Sequence, residues 1–374
     1  MRLFYDHQVF SLQNAGGAAR YHYELIRHIQ RIRGVSIEVV IGLNSSVYGF
    51  QQLHTSHTRV HEQRSGMRPG LLRYLANEVL TGLLAASMGK FDVYHPTLYR
   101  AMPSVRRRRV VVTNHDCAHE RFPAFFRNPE LVVKNKRKLY ARADAIICVS
   151  NSSKRDLLQF YDVNPERVFV IHHGFSPLSS SPDDAGPNLR ASSAYILYVG
   201  FRGTYKNFDM LLRAYSTSPV RHDYQLVTVG GGPFSRSELD AIEKLGVADR
   251  VKNIQSASDD SLASIYQSAS LFVYPSLHEG FGFPPLEAMS VGCPVLVSSA
   301  ASLPEVCGDA ACYFDPTDEH ELGQALECSL NANQTQSMKQ RRFEHVLQYD
   351  WSEAAFQTFN IYSLVSGVDT NNGH

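Results

Sequence analysis

The sequence lacks both an excess of charge and a paired-cysteine motif. Its 37 Lys and Arg residues are balanced by 36 Asp and Glu residues, leaving a formal net charge of +1 at pH 7. A dedicated nucleic-acid-binding protein usually carries a strongly basic surface, so the balance predicts no nucleic-acid partner. The six cysteines contain no CxxC pair, and several lie in apolar runs such as 145–149, which is typical of reduced thiols in a core.

The sequence also lacks a long hydrophobic run. Asp6 interrupts the apolar start of the chain, so a secretory signal core does not form there. The most apolar stretch, 71–88, is broken by Arg73, Asn77 and Glu78, and it falls short of the roughly 18 uninterrupted apolar residues of a membrane-spanning helix. We interpret it as an amphipathic helix, and we expect a cytoplasmic protein.

A dense run of charge of one sign occurs once, as the four arginines 106–109. Most such runs face the solvent. The minority interpretation is contact with an anionic lipid surface or with a phosphate-bearing acceptor, which would place the protein peripherally at the inner face of a membrane.

The chain does contain a regular alternation of short apolar runs and amphipathic stretches. Its 374 residues suggest two domains, at roughly 150 residues for each. Short runs rich in Val, Ile and Leu alternate with amphipathic stretches, which predicts an α/β protein with two doubly wound parallel sheets. The predicted strands are 2–4, 37–41, 93–95, 109–113, 145–149 and 168–171, then 195–199, 225–229, 251–253, 271–274, 294–297 and 311–314. The predicted helices include 20–31, 131–141, 208–215, 235–245, 262–269 and 351–364.

A segment rich in Ser, Pro, Asp and Gly, 176–193, divides the chain and contains nothing that fills a core, so we predict a linker there. The predicted domains are 1–175 and 194–345, and 346–374 is predicted to be a C-terminal helix that packs back on the first domain. Two such domains would leave a cleft between the carboxyl ends of their sheets, where ligands usually bind.

The most informative loop follows the predicted strand 271–274. It contains Gly280 and Gly282 and leads into a helix that we expect to begin at Pro284 and Pro285, because proline suits the first helical turn. Free amides at a helix N terminus can hold a phosphate, and glycine lets the backbone approach a ligand closely. This pattern favours a phosphate-binding loop.

Two carboxylates accompany this loop. Glu279 lies within it, and Glu287 is predicted to fall in the first turn of the helix. A carboxylate can accept two hydrogen bonds from adjacent hydroxyls, such as those of a ribose or hexose. The alternative is a glutamate favoured by the helix dipole beside an ordinary glycine turn.

Two cations follow the predicted strand 195–199. Arg202 and Lys206 precede Asn207, which we expect to cap the next helix. Cations at a strand end beside a helix N terminus suit a diphosphate leaving group, whose charge grows as it departs. The alternative is a solvated surface loop.

Three weaker signals lie in the first half. Gly16 and Gly17 form a loop between a strand and a helix, but the spacing is not GxGxxG, so an ordinary turn is the alternative to a ligand loop. His115 and Asp116 end one predicted strand, and His95 ends another. A histidine at such a place can be structural or functional.

The string 274–289, with Glu279 and Glu287 separated by seven residues, resembles the E-x7-E signature of retaining glycosyltransferases of family four. The full string is far more specific than the two glutamates alone. The resemblance is strong over 194–316, and in the rest of the chain it is confined to short separate segments. It implies a GT-B architecture of two Rossmann-like domains, with a nucleotide-sugar donor held mainly by the second.

The resemblance also implies roles for the candidate residues. Arg202 and Lys206 would bind the donor diphosphate, Glu279 would orient sugar hydroxyls, Glu287 would hold the ribose diol, and His115 would face the donor sugar. In many members the arginine directly follows the strand-end glycine, whereas a phenylalanine intervenes here. Backbone groups complete the implied donor site, at Gly16, Gly17, Gly280, Phe281, Gly282 and Leu286.

The expected activity is therefore transfer of a hexose, with retention, to a hydroxyl of a glycan or glycolipid acceptor in polysaccharide biosynthesis. GDP-mannose is the first expectation for the donor, and UDP-hexoses and other GDP-hexoses stay open. No cofactor is implied, and no metal, because the sequence has no convincing DxD motif. The alternatives are a non-catalytic nucleotide-sugar-binding protein and a nucleotide-sugar epimerase on the same fold.

Overall fold

The computed structural model describes residues 1–14, 16–45, 47–66, 70–87, 90–100, 108–178 and 194–368. Most of the predicted linker, 179–193, and two of the four consecutive arginines, Arg106 and Arg107, lie outside these residues. The chain forms two compact units, Met1–Gly174 with 350–368, and Phe175–Tyr349. Within the described residues, no helix combines the length and the apolar character needed to cross a bilayer.

The first unit contains one parallel sheet, with the strand order β3-β2-β1-β4-β5-β6-β7 among its described residues. Its strands are β1 (Arg2–Tyr5), β2 (Ser36–Asn44), β3 (Thr58–Arg64), β4 (Val93–His95), β5 (Arg109–Asn114), β6 (Ala145–Cys148) and β7 (Val168–Val170). Its helices up to this point are α1 (Gln8–Leu12), α2 (Gly17–Ile29), α3 (Leu71–Ser87), α4 (Ala118–Arg121), α5 (Pro129–Arg142) and α6 (Asn151–Phe160).

The second unit repeats this design, with the order β10-β9-β8-β11-β12-β13 in the part of the chain described. Its strands are β8 (Tyr195–Val199), β9 (Gln225–Val229), β10 (Val251–Ile254), β11 (Leu271–Tyr274), β12 (Val295–Ser298) and β13 (Cys312–Phe314). Its helices are α7 (Phe208–Thr217), α8 (Arg236–Lys244), α9 (Asp259–Ser268), α10 (Phe283–Ser290), α11 (Leu303–Cys307), α12 (Glu319–Asn331) and α13 (Gln336–Val346). The last helix, α14 (Trp351–Ser366), belongs to the first unit.

Every strand and helix expected from the sequence is present, with ends shifted by a few residues. The sequence prediction missed β3. That strand lies at the edge of its sheet and leaves Arg59, Gln63 and Arg64 exposed. An edge strand needs no continuous apolar run, because one of its sides faces solvent, and the pattern used to find the buried strands therefore passes over it.

Each sheet reverses its strand order once, between β1 and β4 in the first unit and between β8 and β11 in the second. The loops that leave the two central strands at such a switch point diverge, and this opens a crevice at their carboxyl ends. The loops that carry Lys206 and Glu279 leave β8 and β11, respectively.

Helix α14 is anchored in the first unit by hydrogen bonds and by close packing. The hydroxyl of Tyr362 lies 2.8 Å from that of Tyr5 and 2.6 Å from Nδ1 of His95. At the other end of the helix, a Cβ added to Gly174 would lie 2.4 Å from backbone atoms of Trp351. Only glycine allows this approach, so the backbone at Gly174 packs directly against the backbone at the start of α14.

Candidate active site

Lys206 and Glu279 form an ion pair at the switch point of the second sheet. Lys206 Nζ lies 2.6 Å from Glu279 Oε1, and both side chains are largely buried. Lys206 Nζ also donates to the hydroxyl of Tyr274 at 3.3 Å. Burial disfavours the charged lysine, but attraction to Glu279 outweighs it and holds the pKa of Lys206 well above its usual value. The site therefore contains a fixed positive charge.

Asn207 positions this lysine, and it does so differently from the cap that the sequence predicted. It occupies the position before α7 in the left-handed conformation, with φ of 61°, and its side chain makes no capping hydrogen bond. Instead, Nδ2 donates to the carbonyls of Pro275 at 3.1 Å and Pro316 at 2.9 Å. The Asn207 side chain thus ties the loop after β8 to the loop after β11.

The glycine loop after β11 is held by backbone conformation and by one serine. Gly282 adopts a φ of 100° immediately before α10, and a Cβ there would lie 2.9 Å from Leu303 Cδ2. Ser302 Oγ lies 2.9 Å from the carbonyl oxygen of Glu279 and 3.0 Å from that of Phe281. The loop is therefore fixed around a glycine that no other residue replaces without strain.

Two predicted donor-binding residues use their side chains elsewhere. Phe281 is buried, with its ring 5.6 Å from Phe283 and 5.4 Å from Tyr349. Leu286 is fully buried as well. Both can offer a ligand only backbone groups, because their side chains belong to the core of the unit.

Glu287 lies at the fifth position of α10, just beyond the first turn in which the sequence predicted it, because the helix begins one residue earlier than expected. The helix begins at Phe283, so its first turn contains no acidic residue. The carboxylate is largely buried, and Oε2 accepts a hydrogen bond from Tyr266 at 3.2 Å. Burial, and then the negative charge of Glu287, hold the pKa of Tyr266 well above its usual value, so the hydroxyl remains a donor that orients the carboxylate.

Arg202 does not stand beside Lys206 as a second available cation. Its side chain is only 3% exposed, and Nε is paired with Glu238 at 2.7 Å. The two Nη atoms donate to the carbonyls of Gly230 at 2.6 Å and Gly232 at 3.1 Å. The diphosphate-binding role of Arg202 stays a prediction, and in this structure the side chain holds the glycine turn after β9. The inserted phenylalanine that separates the strand-end glycine from Arg202 is the sequence signal for this difference.

In the first unit, Gly16 and Gly17 open α2. Gly16 has a φ of 151° and precedes the helix, and its carbonyl accepts from the amide of Arg20 at 2.9 Å. A Cβ on Gly16 would lie 2.7 Å from Oε1 of Gln13. The helix N terminus therefore presents amides at a glycine that permits close approach, as a phosphate-binding loop requires.

His115 lies just beyond β5, at the rim of a cluster of buried histidines. Its Nε2 is buried and has no hydrogen-bond partner among the described residues. Burial lowers the pKa of His115 to about 4, against a smaller opposite effect of Asp116. The ring is neutral at physiological pH and can exchange one hydrogen bond with a ligand.

The rest of the cluster was only partly foreseen. Ring centroids of His22, His115 and His173 lie 4.8, 5.2 and 4.7 Å from that of Tyr21. His95 is engaged at both nitrogens within its own unit, with Nε2 2.9 Å from Thr113 Oγ1 and Nδ1 bonded to the hydroxyl of a tyrosine in α14. The sequence analysis missed His22 and His173, although His173 lies three residues beyond β7 and His115 directly follows β5.

No group of three or more His, Cys, Asp or Glu side chains that could hold a metal ion occurs in the part of the chain that the structure describes.

Both halves of the chain match known glycosyltransferase family models. Residues 15–177 match the family model "Glycosyltransferase Family 4" and residues 181–343 match "Glycosyl transferases group 1". The O-antigen chain mannosyltransferase B of Escherichia coli is 30% identical over 286 residues, which cover 73% of this chain and 74% of that protein. The serotype-specific mannosyltransferase WbdA of Escherichia coli is 28% identical over 254 residues, 64% of this chain but only 31% of WbdA.

Solved structures share the whole fold. Sucrose-phosphate synthase from Thermosynechococcus elongatus superposes with a TM-score of 0.77 at 18% identity, covering 98% of this chain and 99% of the other. Anabaena HepE in complex with UDP-glucose gives a TM-score of 0.71 at 20% identity, with 98% and 99% covered. The two Rossmann-like units form the GT-B architecture, and the family models and relatives make the chain a glycosyltransferase. The chain belongs to glycosyltransferase family 4.

Proposed function

We propose that this glycosyltransferase transfers mannose from GDP-mannose, with retention and without a metal ion, to a hydroxyl of a glycan or glycolipid acceptor in polysaccharide biosynthesis. The observation that carries the proposal is the buried Lys206–Glu279 pair at the carboxyl ends of β8 and β11. It offers one cation for a diphosphate and one carboxylate for sugar hydroxyls in adjacent positions. The choice of mannose is supported by the mannosyltransferases among the relatives.

In this mechanism, the diphosphate of the bound donor takes over from Glu279 as the main partner of Lys206 Nζ. The lysine then stabilises the charge that grows on the leaving group. Glu279 turns to the sugar hydroxyls, and Glu287 accepts from the ribose diol while Tyr266 orients it. The acceptor hydroxyl attacks on the face that the diphosphate leaves, and the leaving phosphate takes its proton, so that no protein nucleophile is required.

The first unit contributes His115 and the glycine loop at Gly16 and Gly17. The neutral His115 ring offers Nε2 to a hydroxyl of the donor sugar. The amides that open α2 add donors for phosphate oxygens. We place the protein in the cytoplasm, with a peripheral contact at the inner face of a membrane, where a glycolipid acceptor would be met.

The proposal is tested by incubating the enzyme with GDP-mannose, GDP-fucose, UDP-glucose and UDP-galactose, each with a mannose-terminated oligosaccharide. We expect GDP release and an α-linked mannosyl product from GDP-mannose, at the same rate with and without EDTA. Preferred turnover of a UDP-sugar would overturn the choice of donor. A β-linked product would overturn retention, and a rate lost with EDTA and restored by Mg²⁺ would overturn metal independence.

The two glutamates should separate into a binding residue and a turnover residue. We expect Glu287→Ala to weaken GDP binding by about tenfold to a hundredfold, because it removes a charged acceptor of two hydrogen bonds. Glu279→Ala should lower kcat by about a hundredfold with little change in the KM for the donor, because its contacts are expected to strengthen in the transition state. Titration calorimetry with GDP and steady-state kinetics measure the two effects.

The matched control is Glu344→Ala, which removes an exposed glutamate of α13 in the same unit. It should change neither GDP affinity nor kcat. If Glu287→Ala bound GDP as tightly as the unaltered enzyme does, Glu287 would not be the residue that binds the ribose diol.

A further inference from the structure

A buried lysine lies directly behind the backbone of His115. Lys136, in α5, has no exposed side-chain surface, and its Nζ donates to the carbonyl of Asp116 at 2.8 Å. The same nitrogen lies 3.0 Å from Oε1 of Glu120, whose side chain is only 3% exposed, and 4.7 Å from the centre of the Tyr99 ring. An ammonium group has three donors. A carbonyl, a carboxylate and an aromatic face already occupy them, so Lys136 itself is not a ligand-binding residue.

Two further hydrogen bonds hold the segment around His115. The hydroxyl of Tyr99 accepts from the backbone amide of His115 at 3.2 Å. The hydroxyl of Tyr140 donates to Oδ1 of Asn114 at 2.8 Å, and Tyr140 shares a face of α5 with Lys136, four residues earlier. Helix α5 therefore holds the residues on both sides of His115. The imidazole Nε2, in contrast, has no hydrogen-bond partner among the described residues.

Stability alone does not account for a lysine at this place. Two charges lose their hydration when they are buried, and their mutual attraction seldom exceeds that loss by much. Apolar residues of similar volume often replace a buried ion pair with equal or higher stability. An apolar side chain could not, however, donate to the carbonyl of Asp116. This hydrogen bond, rather than the ion pair with Glu120, is the contribution that requires Lys136.

Lys136 also influences the charge of the His115 ring. Burial lowers the pKa of His115, the negative charge of Asp116 raises it, and the positive charge of Lys136 lowers it again. The lysine therefore opposes the neighbouring carboxylate, which favours a protonated ring. A neutral imidazole has one donor and one acceptor nitrogen, so it can exchange a hydrogen bond with a hydroxyl in either direction.

We propose that Lys136 is a positioning residue for the transfer reaction and acts through His115. By fixing the carbonyl of Asp116, it sets the orientation of the peptide that follows His115, and with it the direction of the ring. This step rests on the proposed function, in which His115 contacts the donor sugar. A displacement of about 1 Å in a group that contacts the substrate can lower a rate about a hundredfold. A residue behind His115 can therefore control the rate without touching a ligand.

The test replaces the buried ion pair with neutral side chains of similar size. Lys136→Met alone would leave the carboxylate of Glu120 buried without its cation, which strongly destabilises a fold. Lys136→Met combined with Glu120→Gln removes both charges. The new amide oxygen can still accept from the hydroxyl of Tyr161, as Glu120 does. The fluorescence of Trp351, which lies in the first unit, shows whether this double variant is folded under the assay conditions.

In the double variant we expect kcat to fall by about tenfold to a hundredfold, with the KM for the donor and the affinity for GDP unchanged. A loss confined to kcat separates positioning from partial unfolding, which would change all three quantities. The matched control is Lys138→Met, which removes an exposed lysine of the same helix and should change none of them. A kcat in the double variant equal to that of the unaltered enzyme would overturn the proposal.

A mutant cycle with His115→Ala shows whether Lys136 acts through the histidine. His115→Ala should lower kcat, and adding the changes at Lys136 and Glu120 should lower it no further, because the side chain that they position is already absent. A further loss as large as that in the His115 background would overturn the proposal, and so would an unchanged kcat in His115→Ala. The cycle uses whichever nucleotide sugar the unaltered enzyme turns over, so failure of GDP-mannose as a donor refutes only the proposed function.

Discussion

Replacing Lys206 with alanine is expected to lower mannosyl transfer about a thousandfold, because preorganised charge at a departing oxyanion is usually the largest catalytic contribution. We propose that this lysine carries most of the positive charge at the diphosphate, since Arg202 contacts Glu238 and backbone carbonyls. The variant also leaves Glu279 without its 2.6 Å partner, next to the position of the diphosphate. Both effects act against the bound diphosphate, so GDP affinity should fall together with kcat.

Binding of guanosine separates this explanation from a general loss of folding. Guanosine has no phosphate, so its affinity should be equal in Lys206→Ala and in the unaltered enzyme, while that of GDP falls. Lys244→Ala, at the exposed end of α8, is the matched control and should leave both affinities unchanged. Unaltered GDP binding in Lys206→Ala would remove the lysine from the site.

Acid is expected to destabilise the first unit well before any carboxylate titrates. Burial lowers the pKa of His95 to about 3 and that of His115 to about 4, and it holds the pKa values of His22 and His173 well below their usual range. In the unfolded chain each histidine titrates near pH 6.5. The unfolded state therefore binds more protons than the folded state below that pH, and the free energy of unfolding falls as the pH falls from about 6.5 towards 4.

The size of this effect follows from the number of histidines. Four histidines are neutral in the folded state. Their summed contribution lowers the free energy of unfolding by about 5 kcal/mol between about pH 7 and pH 5.5. A domain of ordinary stability has only about 5–15 kcal/mol to lose. The first unit should therefore unfold near pH 5.

Trp351 is the only tryptophan of the chain and lies in this unit, with its ring 6.1 Å from that of His173. Its fluorescence during urea unfolding at a series of pH values measures the effect. His22→Phe keeps an aromatic ring in the cluster. It should lower the number of protons taken up on unfolding by about one, and so flatten the dependence of the free energy of unfolding on pH. His57→Phe, at an exposed site, should leave it unchanged. A free energy of unfolding that is constant from about pH 7 to 5.5 would contradict the expectation.

The sequence indicated which residues to expect at the candidate site, but it did not indicate how their side chains pair. Glu279 and Lys206 were identified because each follows an apolar strand, and strand ends meet at the switch point of a doubly wound sheet. Arg202 satisfied the same criterion, but its side chain contacts Glu238 and backbone carbonyls rather than Lys206 or Glu279. The guanidinium donates to the carbonyls of Gly230 and Gly232, which lie some thirty residues away along the chain. No local sequence pattern predicts hydrogen bonds between such distant residues.

Helix α3 also shows which features the sequence predicts and which only the tertiary structure decides. By itself the sequence predicted an amphipathic helix over 71–88, because Arg73 and Asn77 recur at helical spacing among leucines, and the structure has α3 at Leu71–Ser87. Only the tertiary structure decided which side faces inward. Carbonyls of the segment at Phe10 and Ser11 needed donors, and a buried guanidinium that supplies them outweighs the burial of the leucines. Periodicity defines two faces of a helix, but the unsatisfied polar groups of its neighbours select the one that is buried.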